Sequence, residues 1–341
     1  MKVKLYLCST EPPVAQNPLG LGYLASNVGG EIVHSRAELT DCDMIGLSSD
    51  AEGLKEAVSI LESAEVPVII GGQGTLWPGL AEYGFQNIII GEGEAVFKAI
   101  LQGIPCKKVQ TPANIADIDS LEFPDRGECG QIVPMITSRG CPFHCRFCSS
   151  QEYWGGARYH SAGYFIEEVG FIALIYPRAS MLYIQDDLFI GDKNRLREIH
   201  RLWLMGNWSA RFKTRTMIRA DLFDEEAAAL LADMNPDRVR FGAESGSDRI
   251  LKSLGKTTTV EDNRRAVDLA NRHGIPISAS FMYGCPGETQ EDRDLTAAFI
   301  ARNRGRLAVE GWYQYTSFPG APMYDGKSPL THRMTCRRSV Q

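Results

Sequence analysis

The chain has 341 residues, with 36 Lys and Arg against 42 Asp and Glu and a net charge of −6. That length allows two or three domains with cores of their own, and the mild acidity argues against a general nucleic-acid-binding surface. No run of about 18 apolar residues occurs, and the N-terminus starts like a strand rather than a signal peptide, so a cytoplasmic protein without membrane association is expected.

Residues 1–108 alternate apolar runs with helical stretches. Residues 3–8, 43–48, 66–70 and 87–90 read as strands, and 19–28, 52–64, 76–83 and 94–101 as helices. Such alternation predicts an α/β, doubly wound, Rossmann-like parallel sheet, whose ligands sit beyond the C-terminal strand ends. The segments at those ends carry Ser48, Ser49, Gly71, Gly72, Gln73, Gly91 and Glu92. Glycines there let a backbone approach a bulky ligand. One glycine after a strand is ordinary turn chemistry; glycines at successive strand ends are a stronger signal. Residues 109–131 show little periodicity and read as a linker.

The next stretch holds the distinctive motif. Cys141, Cys145 and Cys148 stand in a C-x-x-x-C-x-x-C spacing, just after an apolar run at 132–136. Thiolates are the ligands of iron–sulfur clusters, which normally take four, so three leave one iron open. The alternatives are a structural zinc site or three unrelated thiols, but zinc usually takes paired C-x-x-C half-sites, and no second pair exists here. The other six cysteines, at positions 8, 42, 106, 129, 285 and 336, are scattered and suit a reducing compartment.

From 132 onward strands are expected near 132–137, 181–186, 212–218, 238–243, 276–283 and 308–316, with helices over 163–176, 192–205, 224–234, 259–273 and 289–303. Six repeats are too few for a closed eight-stranded barrel. Asp186 and Asp187 end the second of these strands; Asp186 is taken as the catalytic group facing the barrel mouth, and Asp187 or Asp192 as a helix cap. Thr259 is the expected N-cap of the 259–273 helix, with Asp262 reaching back to it.

The cysteine loop resembles the cluster loop of radical SAM enzymes. That resemblance implies a [4Fe-4S] cluster on Cys141, Cys145 and Cys148, whose open iron chelates S-adenosylmethionine, and an electron that cleaves it to methionine and a 5′-deoxyadenosyl radical. It implies a partial (β/α)6 barrel over 132–330, with 331–341 as a tail. Gly242-Ala243-Glu244-Ser245-Gly246 resembles the family's segment after the fourth strand, which makes Glu244, with Ser245, a ribose-binding candidate. Gly284-Cys285-Pro286-Gly287-Glu288 resembles the turn that packs on adenine, through Gly284 and Pro286, with Cys285 a bystander thiol. Arg219, ending the third strand, is a candidate partner for the S-adenosylmethionine carboxylate. Tyr159-His160 stands where the family usually has Tyr-Arg, which makes His160 a minor candidate for substrate contact and Arg158 a candidate to replace the anion-binding arginine.

The first domain, 1–108, resembles the cobalamin-binding domain that precedes the barrel in a large subgroup of these enzymes. It lacks a D-x-H-x-x-G segment, which implies cobalamin with its base off the cobalt and His34 as a surface residue. Together the resemblances imply methylation of an unactivated carbon through the deoxyadenosyl radical and methylcobalamin. A cobalamin-dependent rearrangement, cyclisation or oxidation is the alternative, and a sensing protein with degenerate sites a third reading. A flavodoxin or ferredoxin would supply the electron; the substrate is unknown. The short stretch after the last expected strand implies an open barrel mouth, a covering partner or a large substrate.

Overall fold

A computed structural model describes residues 1–9, 15–111 and 114–327; the expected tail at 331–341, with Cys336, lies outside them. The chain divides into two units. One holds Met1–Cys129, Cys148–Arg158 and the stretch beginning at Phe318; the other holds Gly130–Phe147 and Tyr159–Ser317.

The first unit is built on six parallel strands, β1 (Val3–Cys8), β2 (Glu31–Ile32), β3 (Met44–Ser49), β4 (Val68–Gly71), β5 (Asn87–Ile89) and β6 (Val109–Gln110), in the order β2-β1-β3-β4-β5-β6. Helices α1 (Leu19–Val28) and α3 (Glu94–Leu101) cover one face, and α2 (Leu54–Ser63) the other. In β4, Val68 and Ile70 join Ala57 and Ile60 on the α2 side, while Ile69 joins Leu21 and Phe97 on the opposite side. A strand buried on both faces needs such a continuous apolar run. The chain passes from β1 to one side and returns to the other, so β1 and β3 flank a topological switch point, where ligands of such sheets bind.

Two details depart from the sequence reading. The 76–83 stretch is not an α-helix: two 3-10 segments, Gln73–Leu76 and Pro78–Glu82, separated at Trp77, end before Tyr83. Pro78 has no N–H to donate into a continuous helix. The edge strands β2 and β6 have two residues each, too few to display a period, and β6 falls inside the stretch expected as linker.

The second unit carries β7 (Ile132–Met135) and, after a two-stranded pair of β8 (Ser138–Arg139) and β9 (Arg158–Tyr159), the strands β10 (Met181–Ile184), β11 (Lys213–Ile218), β12 (Pro236–Glu244), β13 (Ile277–Tyr283) and β14 (Ala308–Gln314). All neighbours are parallel and each strand lies beside the one before it, in the order β14-β13-β12-β11-β10-β7: an open half-barrel. The short α4 (Ser150–Trp154) belongs to the first unit, and the helices of the second are α5 (Ala162–Ile175), α6 (Lys193–Met205), α7 (Glu225–Asp233), α8 (Asp248–Ser253), α9 (Val260–Arg272) and α10 (Gln290–Arg302). Along β10 and β12, Leu182, Ile184, Val239 and Phe241 are buried, while the alternating Tyr183 and Arg240 are half-buried. Arg240 donates to the Tyr183 hydroxyl and pairs at 2.7 Å with Glu310, which accepts from Ser278 at 2.9 Å, so a polar chain crosses the sheet from β10 to β14. Asp192 caps α6, as one of two expected candidates, and Thr259 with Asp262 forms the expected capping box of α9. No helix among the described residues is long and apolar enough to cross a membrane.

Candidate functional site

Thr137 stands between β7 and β8, just ahead of the cysteine loop, and three groups fix it there. Asp186 accepts hydrogen bonds from the Thr137 N–H and hydroxyl, both at 2.6 Å, and from the Ser138 N–H at 3.1 Å. Arg195 of α6 donates to the Thr137 carbonyl at 2.9 Å and hydroxyl at 2.8 Å, and to the His160 carbonyl at 2.6 Å. The His160 N–H closes back on the Thr137 carbonyl at 3.0 Å.

This network corrects two expectations. Asp186 does end the second barrel strand, but it is buried and its carboxylate holds the root of the cysteine loop rather than facing a substrate. Burial pushes its pKa up, against the pull of Arg195 and of the Thr137 and Ser138 hydrogen bonds. His160 is fully buried and stacked on Tyr164 with ring centroids 3.9 Å apart, so it is a core side chain. Arg195 was invisible in the sequence: its partners lie 35 and 58 residues away, and no local pattern announces them.

In the loop itself Cys141 and Cys145 are half-buried and Cys148 is exposed. Burial pushes the Cys141 thiol up, partly offset by the Phe143 N–H aimed at its sulfur. The Ser150 N–H points at Cys148 Sγ from 3.4 Å. Arg219, at the end of β11, lies 3.7 Å over the Phe143 ring, with Nη1 3.7 Å from Cys145 Sγ. N–H groups and a guanidinium beside sulfur are the donors that surround the sulfurs of a bound cluster. The donor set therefore fits a [4Fe-4S] cluster. Phe143 was missed although it lies inside the motif, because the spacing rule reads only the cysteines.

Arg219 is less open than its strand-end position suggests. Its Nε pairs with Asp221 at 2.8 Å and its Nη2 donates to the Thr257 hydroxyl at 2.6 Å. Ser245 is also inward-turned: its hydroxyl meets Thr296 at 3.2 Å and accepts from the Ser247 N–H at 3.1 Å. Glu244 is different. It has a φ of +61°, a left-handed conformation that few non-glycine residues adopt and that tends to mark functional positions. Its Oε1 accepts from Lys256 at 2.8 Å, whereas its Oε2 has no partner among the described residues. A carboxylate at a strand end with one oxygen open fits a ribose hydroxyl. The Gly284 turn has φ +72° at its glycine, whose N–H goes to Glu288 at 2.5 Å, with Pro286 exposed. Cys285 is buried in that turn, and burial, with Glu288 and Glu244 nearby, pushes it up to about 12, so it stays a thiol.

In the first unit the glycines sort by what surrounds them. A Cβ on Gly72 would come within 2.5 Å of the Ser49 carbonyl, and φ there is +87°. A Cβ on Gly91, at φ +96°, would sit 3.1 Å from the Tyr153 carbonyl. The protein's own packing accounts for both. Gly71 is another case: a Cβ would meet carbonyls only at 4.0 Å, so nothing in the chain requires glycine there. Ser48 is half-buried, Ser49 buried and Gln73 exposed at the same strand ends. Gly71 closes β4 at one of the strand ends beyond which ligands of such sheets bind. Glu92, expected among the ligand-facing groups, is buried and accepts from Arg158 at 2.8 Å and from the Ile115 N–H at 2.5 Å. The pair occupies both residues with each other. His34 is exposed in the turn after β2, as expected.

An uncharacterized methyltransferase of Pyrococcus horikoshii is 29% identical over 89% of this chain and 78% of its own length. The bacteriochlorophyllide d C-12(1)-methyltransferase of Chlorobaculum tepidum is 23% identical over 83% of this chain and 65% of its own length. The fold matches that of the radical S-adenosylmethionine methyltransferase TsrM from Kitasatospora setae, solved with cobalamin and a [4Fe-4S] cluster bound, at a TM-score of 0.74 and 20% identity, over 95% of this chain and 74% of that one. The family model of the radical SAM superfamily matches residues 135–300, from the end of β7 into α10 and through the three-thiol loop.

Proposed function

We propose that this protein is a cobalamin-dependent radical SAM methyltransferase that methylates an unactivated carbon. The observation that carries the reading is the pairing, in one chain, of a three-cysteine loop with N–H and guanidinium donors beside its sulfurs and a doubly wound sheet with a strand-end glycine, Gly71, that the chain's own packing does not require. Two relatives bear methyltransferase names. When bound, the cluster would supply the electron that cleaves S-adenosylmethionine, and the cobalamin the methyl group.

The chain's own residues have separate tasks. Cys141, Cys145 and Cys148 hold the cluster, with Asp186 and Arg195 fixing the root of their loop. Glu244 orients the ribose. Arg219, from beside Cys145, faces the methionine carboxylate with the N–H capacity its partners leave, and Gly284 and Pro286 border the adenine. Ser48, Ser49, Gly71, Gly72, Gln73 and Gly91 border the cobalamin, with Gly72 and Gly91 shaping the backbone. A flavodoxin or ferredoxin is the proposed electron donor.

The test is anaerobic turnover with S-adenosylmethionine, a low-potential reductant and cobalamin, quantifying two products. Methylation of a carbon radical consumes one S-adenosylmethionine for the radical and one for the methyl group. S-Adenosylhomocysteine should therefore form only with cobalamin present, and with the true substrate it should approach one equivalent per 5′-deoxyadenosine. Coupled turnover of substrate without S-adenosylhomocysteine would reject methyl transfer.

A further inference from the structure

The turn between α8 and α9 touches the cysteine loop, Arg219 and Glu244 of the second unit's site. Its Leu254 carbonyl accepts the Arg146 N–H of the cysteine loop at 2.8 Å, and the Thr257 hydroxyl accepts from Arg219 at 2.6 Å. Gly255 permits the approach: at φ +66°, a Cβ there would lie 2.7 Å from Arg146 Cγ. Between these contacts stands Lys256, its side chain 8% exposed, with Nζ bonded to the Gly242 carbonyl and to Glu244 Oε1.

We propose that Lys256 is a positioning residue of the S-adenosylmethionine site, holding the Glu244 carboxylate so that Oε2 is aimed at a ribose hydroxyl. The inference rests on the reading of Glu244 as the ribose contact. A left-handed backbone at a glutamate persists only where surrounding contacts over-determine it. Here the ammonium draws Oε1 back over β12, and Gly242 makes room, since a Cβ at that position would overlap Oε1 and lie 3.1 Å from Lys256 Nζ. With Oε1 occupied by Lys256 and Oε2 without a partner among the described residues, the carboxylate has one acceptor ready and one direction to present it. Without the ammonium, a side chain with three rotatable bonds has nothing to select that direction, and ordering it falls to the ligand.

The test is ligand discrimination rather than turnover. Affinities for S-adenosylmethionine and for its analogue lacking the ribose hydroxyls are measured by anaerobic equilibrium dialysis on the cluster-loaded full chain, in native protein, Glu244→Gln, Lys256→Met and Lys256→Arg. Native protein should prefer S-adenosylmethionine by about ten-fold or more, the scale of a hydrogen bond to a charged acceptor. Lys256→Met should bring the preference within about three-fold while leaving affinity for the analogue unchanged, and Lys256→Arg should restore part of it. Equal weakening of both ligands would make Lys256 merely structural and overturn the proposal, as would an unchanged preference. If Lys256→Met does not hold its cluster, Gly242→Ala disturbs the same carboxylate from the other side and should lower the preference; if it does not, the proposal falls. A native preference that survives Glu244→Gln would instead remove Glu244 from the ribose, a failure of the underlying reading that the separate variant identifies.

Discussion

At the scale of single residues, neighbouring glycines can have different reasons to be there. Gly72 has φ +87° and ψ 171°, a region almost closed to other residues, and a methyl would press on Ser49. Gly72→Ala should therefore destabilise the first unit by about 2 kcal/mol or more in chemical denaturation. Gly71→Ala should leave stability within about 1 kcal/mol, because its methyl meets only ordinary contacts. If cobalamin lies over β4, that same methyl should weaken cobalamin binding about ten-fold, read by titration of absorbance. Equal cobalamin affinity in Gly71→Ala and native protein would place the cofactor elsewhere. The sequence could flag the glycines but not sort them, since the distinction depends on Ser49 and Tyr153, which reach them only through the fold. The same holds for Asp186. Its strand-end position was legible, but the Thr137 N–H and hydroxyl that occupy it stand 49 residues away.

At the scale of elements, local chemistry was the most legible. Thr259 and Asp262 form a reciprocal cap on α9, which the T-x-x-D spacing alone indicates. A second such box, Thr289 with Asp292, starts α10 with the same spacing. Thr259→Ala should cost about 1 kcal/mol, seen as a lower denaturation midpoint with an unchanged slope. A loss below about 0.3 kcal/mol would mean that tertiary packing alone holds that end of the helix. The elements that escaped were short: the two-residue strands β2 and β6, the 3-10 segments over 73–82, and the six-residue α8. None is long enough to establish a 2.0 or 3.6 period, and the last is defined more by the turn that follows it than by its own sequence.

At the scale of the whole chain, the two fold types were readable because each repeats a strand and a helix often enough for order to show, and because glycines punctuate the strand ends. How cobalamin would be held in the first unit is a question about what that unit lacks in reach. His34 is the only histidine among residues 1–111, and it follows β2, the outermost strand of the sheet. From β2 to β4 is three strand spacings, about 14 Å, well beyond an imidazole's reach. His34 is also exposed in its turn rather than aimed over the strand ends. The side chains nearest Gly71 at those ends, such as Ser48, Ser49 and Gln73, bear hydroxyls and an amide, weaker donors to cobalt than imidazole. Cobalamin bound to this chain should therefore show a base-off spectrum with no histidine on the metal, and its reduced cobalt(II) form should give an electron paramagnetic resonance signal without nitrogen splitting. His34→Ala should change neither spectrum. A nitrogen-split signal that disappears in His34→Ala would mean that the turn after β2 folds over the sheet when the cofactor binds, and the account of the first unit would have to begin from that movement.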